Sequence, residues 1–120
     1  MTPIPVTLTL PFPPSVNNLF TGRHRRYPTA GYKRWRHAAD VTVMAARSPR
    51  ITAPVSISVV LHPADNRPRD ADNYLKCIND CLVRMQVISH DDKRVVRAVS
   101  ATWGEHRHPP EAVVTITPVE

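Results

Sequence analysis

The sequence predicts one α/β (α+β) domain over residues 1–120, in the order β-α-β-α-β-β, with a mixed four-stranded sheet and two helices on one face. Three observations carry that expectation. A chain of 120 residues fits one compact domain. Four segments alternate apolar and polar residues with the period of a half-buried strand. Two segments between them repeat apolar residues at helical spacing.

The first strand is Val6, Leu8 and Leu10 alternating with Thr7 and Thr9. It stops at Pro11-Phe12-Pro13-Pro14, because proline lacks the ladder donor. Ser15-Val16-Asn17-Asn18 reads as a polar turn, and Thr21 to Pro28 as a mobile basic loop. Thr29 is a candidate N-cap. Trp35, Ala38, Ala39, Thr42, Val43 and Ala46 then fall at helical spacing, up to Ser48-Pro49. Val55, Ile57, Val59 and Leu61 alternate with Ser56 and Ser58 as a second strand. Pro63 to Arg69 is a loop of mixed charge. Asp70 can cap a second helix, whose apolar stripe is Tyr74, Leu75, Ile78, Cys81, Leu82 and Met85. After the turn Ser89-His90-Asp91-Asp92, Arg94 to Trp103 reads as a third strand, with Val95, Val99, Ala101 and Trp103 on one side. Gly104 to Pro110 is a turn and Val113 to Thr117 a fourth strand. Trp35 and Trp103 are expected in the core.

Hydrophobic residues make up 42% of the chain, enough for one modest core that a partner subunit would help to complete. Sixteen Lys/Arg against ten Asp/Glu give a charge of +6, which favours polyanionic partners, nucleic acid first. The excess is concentrated. Residues 23–50 hold eight Lys/Arg and one acid, Asp40, a net of +7. Arg23, Arg25, Arg26, Lys33, Arg34 and Arg36 lie together there, interleaved with Tyr27, Tyr32 and Trp35. Such a run fits a DNA footprint in which Tyr27 and Tyr32 stack on bases; it also fits a merely solvated basic face.

Cys77 and Cys81 are four apart in a helical segment, which suits small core residues of a reducing cytoplasm better than a disulfide. His106-x-His108 lacks a third metal ligand. No stretch approaches the roughly 20 apolar residues of a transmembrane helix. Met1 to Leu10 lacks a basic start and a continuous apolar run, so no signal peptide is expected and the cytoplasm is the default location.

The densest chemistry lies in Arg69-Asp70-Ala71-Asp72-Asn73-Tyr74-Leu75-Lys76. Asp70 and Asp72 flank a helix start, where the dipole favours negative charge. Asp72 and Lys76 share a face at i and i+4. Asp91 and Asp92 follow beyond the helix, and the chain must return to bring Asp91 beside Asp70. Clustered carboxylates repel, and a divalent cation such as magnesium relieves that repulsion with oxygen ligands and water. Such an ion can drive phosphodiester displacement, with a lysine supporting the developing charge. A local reading competes: Asp70 an N-cap, Asp72 and Lys76 a surface pair worth about 0.3–0.5 kcal/mol, Asp91-Asp92 a turn.

Two separate motifs resemble the RusA family of Holliday-junction resolvases. Leu10-Pro11-Phe12-Pro13-Pro14-Ser15-Val16-Asn17-Asn18 is similar to the family's L-P-[FWY]-P-P-S-x-N segment, and residues 69–76 to its R-D-x-D-N-x-x-K helix. Asp91-Asp92 followed by a basic strand is a shorter third match. The resemblance implies a homodimer that nicks opposing strands of a four-way DNA junction with magnesium or manganese. It implies Asp70, Asp72 and Asp91 as metal ligands, Lys76 as supporting cation, and Asn17 and Asn73 as organisers of the site. Arg69 joins the basic residues as a DNA contact. Rival readings are a nuclease for forks or flaps, a non-catalytic basic DNA-binding protein, and a domain whose acids bind calcium. Intact Asp70, Asp72, Asp91 and Lys76 favour the nuclease, because a binder has no use for all four.

Overall fold

The computed structural model describes residues 4–119; Met1, Thr2, Pro3 and Glu120 lie outside the described residues, as does that part of the N-terminal reading. Strand β1 (Val6–Pro11) buries Leu8 and Leu10 and turns Thr7 and Thr9 outward. It gives way to the proline run, and Val16–Asn18 forms a 3-10 turn. β2 (Phe20–Thr21) and β3 (Tyr27–Pro28) then pair antiparallel. The segment expected to be a mobile loop is therefore a small hairpin. Gly22 makes its turn at φ +110, where an added Cβ would overlap the Arg25 carbonyl. The Arg26 guanidinium closes it by donating to the carbonyls of Gly22 (3.0 Å) and Phe20 (3.3 Å).

Helix α1 (Ala30–Ala46) begins at Thr29, as the sequence predicts. The Thr29 Oγ1 accepts from the Tyr32 N–H at 3.1 Å and donates to the Asn18 carbonyl at 2.7 Å. Tyr32, Trp35, Ala39 and Val43 form its buried stripe. The Trp35 Nε1–H donates to the Pro11 carbonyl at 2.9 Å, which ties the helix to the end of β1. Tyr32 shares that stripe and is buried, so it is not available to stack on bases; one turn along, Arg36 lies over its ring at 4.8 Å.

β4 (Val55–His62), α2 (Lys76–Arg84), β5 (Val96–Trp103) and β6 (Glu111–Pro118) complete the chain. The sheet order is β1-β6-β4-β5. β4 and β5 are parallel, and the other neighbours are antiparallel. This is the mixed four-stranded sheet with two helices that the patterning predicts, with the β2–β3 hairpin added.

One apolar cluster holds the fold together. Val55, Ile57, Val59 and Leu61 of β4, Ala112, Val114 and Ile116 of β6, and Leu8 and Leu10 of β1 meet the buried stripe of α1 and Cys77, Ile78, Cys81 and Leu82 of α2. The helices therefore cover one sheet face. The alternate strand residues, Thr7, Thr9, Ser56, Ser58, Thr115 and Thr117, put hydroxyls on the other. Asp40 of α1 and Arg84 of α2 join the helices through two charge-assisted hydrogen bonds of 2.7 and 3.0 Å. Burial pushes the Cys77 and Cys81 thiols up to about 12, as befits small core residues.

Trp103 departs from expectation. Its register against Leu61 places it on the helix-covered face, but β5 is an edge strand at the margin of that cover. The residue is 42% exposed. Among the described residues, no helix is long and apolar enough to cross a membrane.

Candidate active site

The parallel crossover from β4 to β5 carries both acidic segments. Asp70 occupies the N-cap position of a 3-10 turn, Ala71–Tyr74, with extended backbone angles. Its carbonyl accepts from the Asn73 N–H at 3.1 Å, yet its side chain makes no capping bond. The expected cap is therefore positional only, and the α-helix proper starts later, at Lys76. Asp72 is exposed in the first turn of the 3-10 segment.

The two motifs meet in space. The 3-10 turn that carries Asn17 packs against the 3-10 turn that carries Asp72 and Asn73. Phe12 and Tyr74 rings lie 5.3 Å apart beside that contact, and the Cys77 thiol points to the Pro14 carbonyl at 3.7 Å. The proline-rich segment thus serves as a rigid backing for the acidic turn.

The pairing of carboxylates separates the candidates from the rest. Asp40 pairs with Arg84, Asp65 with Arg67 and Arg69, Asp80 with Lys76, and Asp92 with Arg94. Glu105 and Glu111 share Arg107. Among the described residues, the carboxylates with neither an ion pair nor a hydrogen bond are Asp70, Asp72 and Asp91. The Asp91-Asp92 pair divides sharply. Asp92 accepts from the Arg94 N–H (2.9 Å), Nε (3.0 Å) and Nη2 (2.7 Å), whereas Asp91 is exposed and uncommitted.

Lys76 opens α2 and pairs with Asp80 one turn along. Its Nζ donates to Asp80 at 3.1 Å, and that bond is the main reason its pKa is raised. The charge of Asp91 adds a smaller part of the rise. Among the described residues, no three His, Cys, Asp or Glu side chains form a group ready to hold one ion. The donor set nevertheless suits a hard cation: exposed carboxylate oxygens with no protein partner. Magnesium keeps several waters and needs only one or two direct carboxylates, so a closed cage is not required.

The basic residues fall into two kinds. Among the described residues, no carboxylate pairs with Arg23, Arg25, Arg26, Lys33, Arg34 or Arg36, although Arg26 is committed to the hairpin carbonyls and Arg25 lies over the exposed Tyr27 ring at 5.7 Å. Arg69 faces inward, with its side chain only 14% exposed. It donates to the Asp65 carboxylate at 2.8 Å and to the Asp65 and Arg67 carbonyls at 3.3 Å. The patterning alone missed this brace. Its trace in the sequence is the alternation Asp65-x-Arg67-x-Arg69.

The family model described as Endodeoxyribonuclease RusA matches residues 11–117, nearly the whole chain. No curated protein matches.

The paired acids give a pH prediction. The Arg67 N–H and then the Arg69 guanidinium hold Asp65 at about 2. The Arg94 guanidinium and then its N–H hold Asp92 at about 2. Both values lie below the ordinary 3.8, so their stabilisation is present above that value and is lost as pH falls through about 2. Carboxyl-carbon NMR titration should give midpoints near 2 for Asp65 and Asp92. Midpoints near 3.8 would mean that the arginine braces do not persist in solution.

Proposed function

The chain belongs to the RusA family of endodeoxyribonucleases, which resolve Holliday junctions, and on that footing we propose that it nicks opposed strands of a four-way junction at a magnesium site held by Asp70, Asp72 and Asp91. The observation that carries this reading is the isolation of those three carboxylates while every other described acid has a cationic partner. Exposed carboxylate oxygens free of protein partners remain open to a divalent cation, which takes hard oxygen ligands.

When bound, magnesium supplies the charge that activates a water and offsets the phosphate oxygens; manganese can replace it. The chain's own groups do the rest. Lys76, kept protonated by its bond to Asp80, faces the phosphate with a fixed positive charge. Asn73 holds the acidic turn through its backbone bond to Asp70, and Asn17 stands on the adjoining turn as a second organiser of the site. In the reaction a water oxygen bonds to phosphorus, the ester P–O bond breaks, and the leaving oxygen takes a proton. Arg23, Arg25, Arg26, Lys33, Arg34, Arg36 and Arg69 form the DNA-binding set, with Arg26 and Arg69 also shaping the loops they sit on. Two symmetric nicks are simplest for a two-fold homodimer with one site per protomer. The enzyme would act on DNA in the bacterial cytoplasm.

Asp70→Asn, Asp72→Asn and Asp91→Asn should each reduce junction nicking by more than the ~10–100-fold typical of outer-shell groups at a metal site. Gel-shift affinity should hold in all three, and Asp92→Asn should still nick. Nicking at the parent rate in any of the three would remove that residue from the site.

Salt dependence tests the DNA-binding set. Joint replacement of Arg23 and Arg25 by Ala should flatten the slope of log affinity against log salt by up to about 2, at about 0.9 per phosphate contact. Nicking at saturating enzyme should change little. An unchanged slope would move the footprint away from the hairpin, toward Lys93, Arg94 and Arg97 beside Asp91.

A further inference from the structure

A pocket of about 250 Å³ lies between the loop after β4 and the turn between β5 and β6, lined by Pro63, Asn66, Arg67, Arg69, Trp103 and His106 among others. We propose that it is a subsite for one unpaired nucleobase of the DNA, stacked on Trp103. Its size lies just under the ~300–1,000 Å³ of drug-sized ligand sites, which suits a single flat ring system.

The walls match that ligand. Trp103 contributes an aromatic surface at the end of an edge strand, where 42% of the residue remains open. The indole is braced from behind. Tyr74 meets it edge-on at 6.0 Å, and Phe12 supports Tyr74 in turn. A base stacked on an aromatic side chain gains ~1–3 kcal/mol and needs no particular sequence. Asn66 offers an amide able to bond the edge of an extruded base. Arg67, at the rim, offers a cation to the adjoining phosphate. The acid of the loop, Asp65, is already satisfied by Arg67 and Arg69, so its charge is offset where the backbone would pass.

The pocket is formed in advance. Arg69 pins the loop by bonding the carbonyls of Asp65 and Arg67. The Arg107 N–H donates to the Pro63 carbonyl at 3.0 Å, and the Gly104 N–H to the Leu61 carbonyl at 2.8 Å. Gly104 can lie this close only because it has no side chain; a Cβ there would strike the buried imidazole of His62 and, at 2.8 Å, Val60. A site already rigid loses little entropy on binding.

Position gives the pocket its use. Arg69 lines it and immediately precedes Asp70, and Tyr74 behind the indole lies between Asp72 and Lys76. A base seated against Trp103 therefore fixes the register of its strand against the acidic turn. That consequence rests on the proposed carboxylate site; the binding itself does not.

The test is a binding experiment with all divalent cation chelated, so that the carboxylate chemistry does not enter. Four-way junctions carrying one abasic residue, moved in turn through each core position, are titrated against the parent, Trp103→Ala and Trp103→Phe. The parent should lose about tenfold in affinity at one abasic position, within the stacking range. Trp103→Ala should lose a similar factor on the intact junction and no longer distinguish that abasic position. Trp103→Phe should keep most of the discrimination, which separates stacking from a folding defect. Equal losses for Trp103→Ala on intact and abasic junctions would overturn the proposal. So would a parent indifferent to every abasic position, or a Trp103→Phe variant that discriminates no better than Trp103→Ala. Parent-like nicking in the carboxylate variants with this discrimination intact would fail the carboxylate site alone; loss of nicking in those variants with no discrimination by the parent would fail the base subsite alone.

Discussion

The parallel pairing of β4 with β5 is the constraint on which the functional end of the molecule depends. Antiparallel neighbours can be joined by a tight turn, but parallel strands need a crossover of a dozen or more residues. Here residues 63–95 make that crossover, and they contain the braced loop, the acidic turn, α2 and the return through Asp91. The register sets Val55 against Val96 at one end and Leu61 against Trp103 at the other. α2 anchors the crossover by burying Cys77, Ile78, Cys81 and Leu82, so its opposite side, with Lys76 and Asp80, is left outside. Burial of one helix face thus decides where the charged face stands.

Charge is distributed by the same economy. Asp40, Asp65, Asp80, Asp92, Glu105 and Glu111 each use a cation to hold a local shape. Among the described residues, Asp70, Asp72 and Asp91 hold no local shape through their side chains, and the cations of the hairpin and early α1 pair with no acid. Unpaired acids on one segment and unpaired bases on another are what a surface for a polyanion and its counter-cation requires. Exposed ion pairs contribute little to stability, so leaving these groups unpaired costs the fold little.

Much of this was legible in the sequence because it depends on period. Val6-Leu8-Leu10 and Val55-Ile57-Val59-Leu61 announce their strands, and Thr29 announces its helix. Two features were not legible because they depend on neighbours. Alternation assigns Trp103 to a face, but only the strand order shows that β5 lies at the margin of the helix cover. The Thr21–Pro28 segment has no apolar period, and its hairpin rests on Gly22 and on the carbonyl bonds of Arg26. At the site, residues 69–76 and Asp91-Asp92 drew attention by composition alone. The division of labour within Asp91-Asp92 became visible only when Arg94 was seen on Asp92. The pocket at Trp103 left no pattern in the sequence, since its walls come from two loops far apart in the chain.

The central claim is that a divalent cation is held by the acids the protein leaves unpaired, and not by acids in general. Electron paramagnetic resonance titration of Mn2+ against the protein without DNA tests it most directly. Asp70→Asn, Asp72→Asn and Asp91→Asn should each weaken Mn2+ binding by on the order of tenfold or more, while Asp92→Asn should bind like the parent. Loss of binding in Asp92→Asn equal to that in Asp91→Asn, or Mn2+ binding that none of the four changes touches, would contradict it.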